Sequence, residues 1–267
     1  MKMIHQIIKP TGILQQFISC YHIMETDNPI DFFPKHRIYT YGSIVLVFHY
    51  NNPSLFQKRN ELPYIEPRTV ICGQQTNYYD LALAGKTGMI FIIFKPFGAG
   101  MFFEMPMNEI ENDNIGLEYI IKRDTLLIED KLQKSKSNHQ RIKSIEDFLL
   151  KRLTQNYKNH NQISATFKPI DNSKGQISIK TLAEISCLSI KQYERKFSEL
   201  VGTNPKQYIR IVRFQDVLQK KKNNFYNSYT SIAFDCGYYD QAHFIHDFKT
   251  ITDLSPKEFF ERQNLEY

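Results

Sequence analysis

Two patterns of apolar positions divide the chain. In the first hundred or so residues, apolar side chains come in short runs rich in β-branched and aromatic residues: Arg37–Tyr50 ("RIYTYGSIVLVFHY"), Thr69–Gly73 ("TVICG") and Tyr78–Phe94. Such runs predict strands. In the third run, Gly85-Lys86-Thr87-Gly88 has the composition of a tight turn, so a hairpin is expected there. "FKPFGAGMFFEMP" then interrupts the pattern with Pro96, Gly98 and Gly100. Beyond about residue 106 the spacing becomes helical. Ile142, Ile145, Phe148, Leu149 and Leu153 lie on one face of a helix, and Ser137, three residues before Gln140, reads as a capping box at its start. Thr154–Gln176 is rich in Asn, Lys and Gln without an apolar period, and reads as a linker.

From Ser178 onward the chain writes one skeleton twice. Phe197 and Phe248 stand 51 residues apart, as do Pro205 and Pro256. The first copy holds a short helix with Leu182 and Ala183 inside, and a tight break at Cys187-Leu188. Ser189 with Gln192 forms a capping box for the next helix, which buries Tyr193, Phe197 and Leu200. Gly202 stands where a left-handed cap is wanted. In the second copy Ala233 matches Ala183, Gly237 supplies the turn, Asp240 caps, and Phe244, Phe248 and Ile251 point inward. Asn204-Pro205-Lys206-Gln207 and Ser255-Pro256-Lys257-Glu258 each read as cap, proline at the first helical position and capping-box partner. Two helices joined by so short a break cross steeply, which is a helix-turn-helix. The long helix after Pro205 would hold the two units at a fixed distance.

Composition narrows the class without changing this picture. The 267 residues are 42% hydrophobic and 13% aromatic, enough for real cores and for two domains. A net charge of +6 fits a polyanionic partner only weakly, since it is also an ordinary solubility balance. Cys20, Cys72, Cys187 and Cys236 have neither metal-ligand nor redox spacing and read as small apolar residues of a reducing compartment. The start lacks a signal peptide's apolar core and cleavage site, and no stretch approaches a membrane span, so the expected location is cytoplasmic.

The segment Ile177–Arg262, above all "IAFDCGYYDQAHFIHDFKTITDLSPKEF", resembles the C-terminal DNA-binding domain of the AraC/XylS family of transcriptional regulators. Asp253 departs from that pattern, which usually has glycine there; aspartate tolerates positive φ moderately well. The resemblance implies double-stranded DNA as partner, with two recognition helices in successive major grooves, and RNA polymerase as the machinery acted upon. The expected architecture is α+β with two domains. Residues 1–153 form a β-rich barrel or sandwich-like regulatory domain with flanking helices, 154–176 the linker, and 177–267 an all-α domain of two helix-turn-helix units joined by a long helix.

Helical geometry selects the DNA-facing residues. With Tyr193 and Phe197 inside, Lys191 and Arg195 lie opposite, flanked by Gln192, Glu194 and Ser198. With Phe244 and Phe248 inside, Ala242 and His246 lie opposite, flanked by Gln241, His243 and Lys249. Arg195 suits guanine, Gln192 or Gln241 adenine, and Ala242 a thymine methyl. Lys196, Lys206, Lys249 and Lys257, with the helix N-terminus at Ser189, suit phosphates. His243 is equally a buried, hydrogen-bonded side chain. Glu194 and Asp247 suit salt bridges or cytosine. His243 and His246 lack a third metal ligand, so no metal or other cofactor is expected.

The β-rich half resembles the sensor half of one branch of these regulators, which implies a small effector and leaves room for a homodimer. Phe48, Tyr50, Tyr78, Tyr79, Phe91 and Phe94 read as core before ligand cage. His22, His36 and His49 are isolated in sequence, so no enzyme of the metal-barrel kind is expected. The competing reading is a small-molecule-binding or enzymatic barrel with a helical oligomerisation domain; it would need clustered titratable residues in the first 130 positions, and none stands out.

Overall fold

The structure is a computed structural model that describes residues 3–26, 36–58, 61–83, 85–222 and 228–263. In chain order the strands are β1 (Met3–Ile8), β2 (Ile18–Thr26), β3 (His36–Ile38), β4 (Val45–His49), β5 (Leu55–Lys58), β6 (Tyr64–Ile65), β7 (Thr69–Cys72), β8 (Tyr79–Ala82), β9 (Thr87–Phe94) and β10 (Asn114–Gly116). Among the described residues they form a six-stranded sheet, β1-β2-β9-β4-β7-β10, and a four-stranded one, β3-β8-β5-β6. Every pairing is antiparallel.

The strand Thr87–Phe94 explains this arrangement. It is apolar on both faces and buried at nearly every position, as a central strand must be. One face of the large sheet, carrying Tyr21, Ile23, Leu46, Phe48, Ile71, Ile90, Ile92 and Phe94, packs on helices α1 (Glu118–Lys134) and α2 (Asn138–Asn156). Phe48 meets Phe148 edge-on at 6.2 Å. The other face, with Val47, Val70 and Met89, packs against Leu81 and Leu83 beside the small sheet. The sandwich reading therefore holds.

The hairpin expected over Tyr78–Phe94 does not form. Gly85 does turn the chain, at φ +64°, but β8 then pairs with β3 and β5 while β9 pairs with β2 and β4. Thr87 and Gly88, read as turn residues, are strand residues of β9. Continuous burial claims β9 for the large sheet, which outweighs the local pull of the turn.

Residues 154–176, read as a linker, are not structureless. They hold two short helices, α3 (Asn161–Ser164) and α4 (Phe167–Asn172), that bury Ile163, Phe167 and Ile170. Helices of one or two turns are too short to show an apolar period, which is why the sequence hid them.

The remaining helices are α5 (Ile179–Ile185), α6 (Ile190–Val201), α7 (Pro205–Lys222), α8 (Tyr229–Asp235), α9 (Gln241–Thr252) and α10 (Pro256–Gln263). One hydrophobic core runs without a break from Leu14 and Phe17 in the β-rich part to Tyr193, Phe197 and Tyr208 in the first helical unit. Phe167 is the bridge, 5.3 Å from Phe97 on one side and stacked on Phe197 at 5.6 Å on the other. The second unit has a separate core of Phe214, Ile232, Ala233, Phe244, Phe248, Phe259 and neighbours. Among the described residues no helix is long and apolar enough to cross a membrane.

Candidate nucleic-acid interface

Both helical pairs are built by the same local chemistry. Ser178 caps α5, accepting from Thr181 N at 3.0 Å, and Ser228 caps α8, accepting from Ser231 N at 3.1 Å. Each turn then needs one residue in the left-handed region. Gly237 fills that place in the second copy at φ +74°, whereas Cys187 fills it in the first at φ +54°. The next residue returns a hydrogen bond to the matching alanine: Leu188 N to Ala183 O and Tyr238 N to Ala233 O, both 3.0 Å. Tyr239 is the extra residue of the second turn, which is why the repeat offset changes by one.

The helices that follow are capped as their sequences require. Ser189 and Gln192 form a reciprocal capping box on α6, and Asp240 accepts from His243 N at 2.7 Å on α9. Each ends in a left-handed residue, Gly202 at φ +90° and Asp253 at φ +66°. Ser255 and Glu258 form a reciprocal box on α10, and this hydrogen bonding holds the Glu258 carboxyl below its usual pKa. Two expected boxes are half-made. Asn204 accepts from Gln207 N, but the Gln207 side chain turns to Arg210. Ser137 accepts from Gln140 N, and the Gln140 side chain takes Lys136 N instead.

With Tyr193, Phe197, Leu200, Phe244, Phe248 and Ile251 buried, the opposite faces of α6 and α9 are left to solvent. Ser189, Lys191, Gln192, Arg195, Lys206, Gln241, Ala242, His243, His246, Lys249 and Lys257 are all exposed. Arg195 and His246, the paired outward positions of the two copies, keep 63% and 75% of their side-chain area in solvent. Lys196 differs: it is half-buried and donates to Gln162 Oε1 of α3 at 3.1 Å. Arg195 pairs with Glu199 one turn on, at 3.2 Å. Lys257 lies 3.9 Å from Glu261.

His243 is not a buried side chain. Its ring meets Tyr238 edge-on at 5.3 Å, and Nε2 lies 3.6 Å from the Asp247 carboxylate. Asp247 is a buried carboxylate of α9, 3% exposed, and it faces Arg210 of α7 at 3.2 Å. This pair ties α9 to the connecting helix α7. Sequence reasoning missed Arg210 because nothing in its own helix marks it; only the 37-residue separation in chain closes over it. Two exposed apolar residues were also passed over: Ile190 at the first turn of α6, 46% exposed, and Tyr239 before α9, 87% exposed. An apolar side chain at an outward position beside each second helix was the available signal.

Between α6 and the β-rich half lies a cleft of about 650 Å³. Phe103, Met105 and Pro106 line it on one side, Lys158, Arg195 and Lys196 bring it positive charge, and His160 lies among them. Burial, with Lys158 and Lys196 nearby, lowers the pKa of His160. Among the described residues no three His, Cys, Asp or Glu side chains are grouped to hold a metal. His22, isolated in sequence, does have a partner in space: its Nε2 is 3.2 Å from His5 Nδ1 across β1 and β2.

Fold and surface thus define a chain with a β-rich half and a carboxyl-terminal pair of helix-turn-helix units. Residues 182–262 match the family described as "Helix-turn-helix domain", and residues 6–116 match a domain of unknown function (DUF6597). The match places a helix-turn-helix domain over the helical part, in line with the expected pair of helix-turn-helix units. The chain is 32% identical over 81 residues to an uncharacterized HTH-type transcriptional regulator of Haemophilus influenzae, which is 30% of this chain and 27% of that protein. It is 26% identical over 99 residues to the XylDLEGF operon transcriptional activator 3 of Pseudomonas putida, 36% of this chain and 30% of that one. The alignments therefore span less than a third of either relative. Among solved structures, ToxT from Vibrio cholerae aligns over 90% of this chain and 96% of its own, with 9% identity and a TM-score of 0.44.

Proposed function

We propose that this chain is a sequence-specific DNA-binding transcriptional regulator, with α6 and α9 reading successive major grooves on one side of a duplex. The observation that carries the reading is the twofold construction: two helix pairs capped at matching positions, whose outward faces hold exposed Arg195, Lys191, Gln192, Gln241, Ala242, His243 and His246. Arg195 releases Glu199, an exposed partner of little worth, to take a guanine edge. Gln192 or Gln241 reads adenine, and Ala242 a thymine methyl. Lys196, Lys206, Lys249 and Lys257, with Ser189 at the start of α6, hold phosphates and fix the register.

In this reading the β-rich half is regulatory and no catalysis is assigned to the chain. It acts in the cytoplasm, alone or as a homodimer, and alters access of RNA polymerase to a promoter. A small effector bound at the β-rich half would be felt by α6 directly, because the two share one core and one cleft. The test is selection of bound fragments from random duplex DNA by the full chain. A recovered consensus with two elements about one helical turn apart supports the proposal. Recovery of random sequence, or of none, removes it.

A further inference from the structure

The two helix-turn-helix units are held in different ways. The first is fused to the β-rich half through the shared core around Phe97, Phe167 and Phe197. The second has its own core and is carried by α7, 18 residues or about 27 Å long at 1.5 Å per residue, with a polar contact to the first unit, from Gln176 Nε2 to Asp235 O at 3.0 Å. A single helix leaves its far end free to bend and twist, so something must fix where α9 points relative to α6.

One segment of the β-rich half reaches that far end. The connection from β3 to β4 leaves the small sheet at Ile38 and enters the large sheet at Val45, crossing the helical part between them. Gly42, at φ +72°, lies so close to α7 that a Cβ there would sit 3.3 Å from Tyr208 and 3.4 Å from Ile211. One turn further along α7, Gln215 donates to the Thr40 carbonyl oxygen. Tyr39 then passes beyond α7 and packs edge-on against Phe259 of the second core at 4.9 Å. Phe259 in turn touches Phe214 and Phe248, the latter on the buried face of α9. At its base the connection is anchored: Arg37 pairs with Asp80 at 3.0 Å and lies 3.7 Å over the Tyr78 ring, and Thr40 accepts from Gln74.

We propose that this strap is the support that the β-rich half gives to the distal helix-turn-helix unit, and that Tyr39 is a positioning residue that sets the spacing and angle between the two reading helices. The inference rests on the DNA-binding reading above. It assigns to the β-rich half a direct part in site selection: Tyr39 touches no DNA, yet it fixes which separation of two half-elements the chain accepts. Movement of the small sheet, which carries the strap through the Arg37–Asp80 pair, would be passed to α9 without any change in α6.

The test uses the full chain, the two-element site recovered by selection, and versions of it with the elements one or two base pairs closer or further apart. Each base pair shifts the second element by about 3.4 Å and turns it by about a tenth of a helical turn. Wild type should favour its best spacing by roughly tenfold over a one-base-pair change. Tyr39→Ala should flatten that preference to about threefold or less while binding a single-element probe for α6 within about twofold of wild type. Tyr39→Phe, which keeps the ring contact, should retain the sharp preference. Gln215→Ala is the independent arm should Tyr39→Ala fail to fold, and should also broaden the profile. A Tyr39→Ala or Gln215→Ala profile as sharp as wild type overturns the proposal, and so does an equal loss on single-element and two-element probes. Failure of wild type to prefer any two-element site would instead defeat the reading on which the strap depends.

Discussion

Arg210→Ala is the most informative change to stability. The Asp247 carboxylate has only 5% of its side-chain area in solvent, and Arg210, 3.2 Å away, is nearer to it than the imidazoles of His243 and His246 at 3.6 and 3.7 Å. Breaking a fully buried pair by removing one partner costs about 3–5 kcal/mol, because the remaining charge is stranded. Arg210 keeps 26% of its side chain in solvent, so water reaches one side of the pair and the figure must come down. About 2–3 kcal/mol is the expected loss, a fall in melting temperature of roughly 5–10 °C at this chain length. The assay is a double-mutant cycle by urea denaturation, with hydrogen exchange of the α9 amides as the local probe. Asp247→Asn alone should cost about 1 kcal/mol, since it removes the charge along with the need for its partner. Arg210→Ala added to Asp247→Asn should then cost little more. An Arg210→Ala penalty below about 0.5 kcal/mol, or one that is unchanged in the Asp247→Asn background, refutes the argument that this pair holds α9 to α7.

Cys187 and Asp253 occupy left-handed positions at φ +54° and +66° with exposed side chains, so Cys187→Gly and Asp253→Gly should each be neutral or stabilising by up to about 1 kcal/mol in thermal melts, whereas Gly237→Ala should destabilise. Phe197→Ala should cost about 3–5 kcal/mol and loosen the β-rich half as well as the first helix-turn-helix, because both share its core; hydrogen exchange in β2 and β9 reads this directly. The pKa of His160 lies below its unfolded value, so the unfolded chain binds the proton more readily. Stability is therefore full above the ordinary histidine range and falls as pH drops below it, and His160→Gln should shrink that fall in melts taken between pH 7 and pH 5. Arg195→Ala should relax base preference, while Lys206→Ala should weaken binding to all sequences and lower the salt slope by about one.

The helical half was legible in sequence because its signals are local. Caps, left-handed residues and the proline after each cap act within four residues of one another, and a repeat displays each of them twice. The same locality let the Ile142–Leu153 face be read, with every one of its five apolar positions buried. The β-rich half was legible only as strands. Which strand pairs with which is decided by burial over the whole sheet, so the glycine-rich turn at Gly85 pointed to a hairpin that the two sheets pull apart. Short helices at Asn161–Ser164 and Phe167–Asn172 fell below the length at which periodicity speaks. The contacts between distant elements are the least local of all. Arg210 to Asp247, Thr40 to Gln215 and Tyr39 to Phe259 bring together residues up to 220 positions apart, and no spacing rule marks them.

If α6 and α9 lie in neighbouring grooves on one face of DNA, binding must follow the helical repeat of the duplex. Inserting five base pairs between the two elements of the selected site puts them on opposite faces while leaving each intact. The predicted result is loss of two-element binding to the level of a single element. Undiminished affinity across the insertion would contradict the claim.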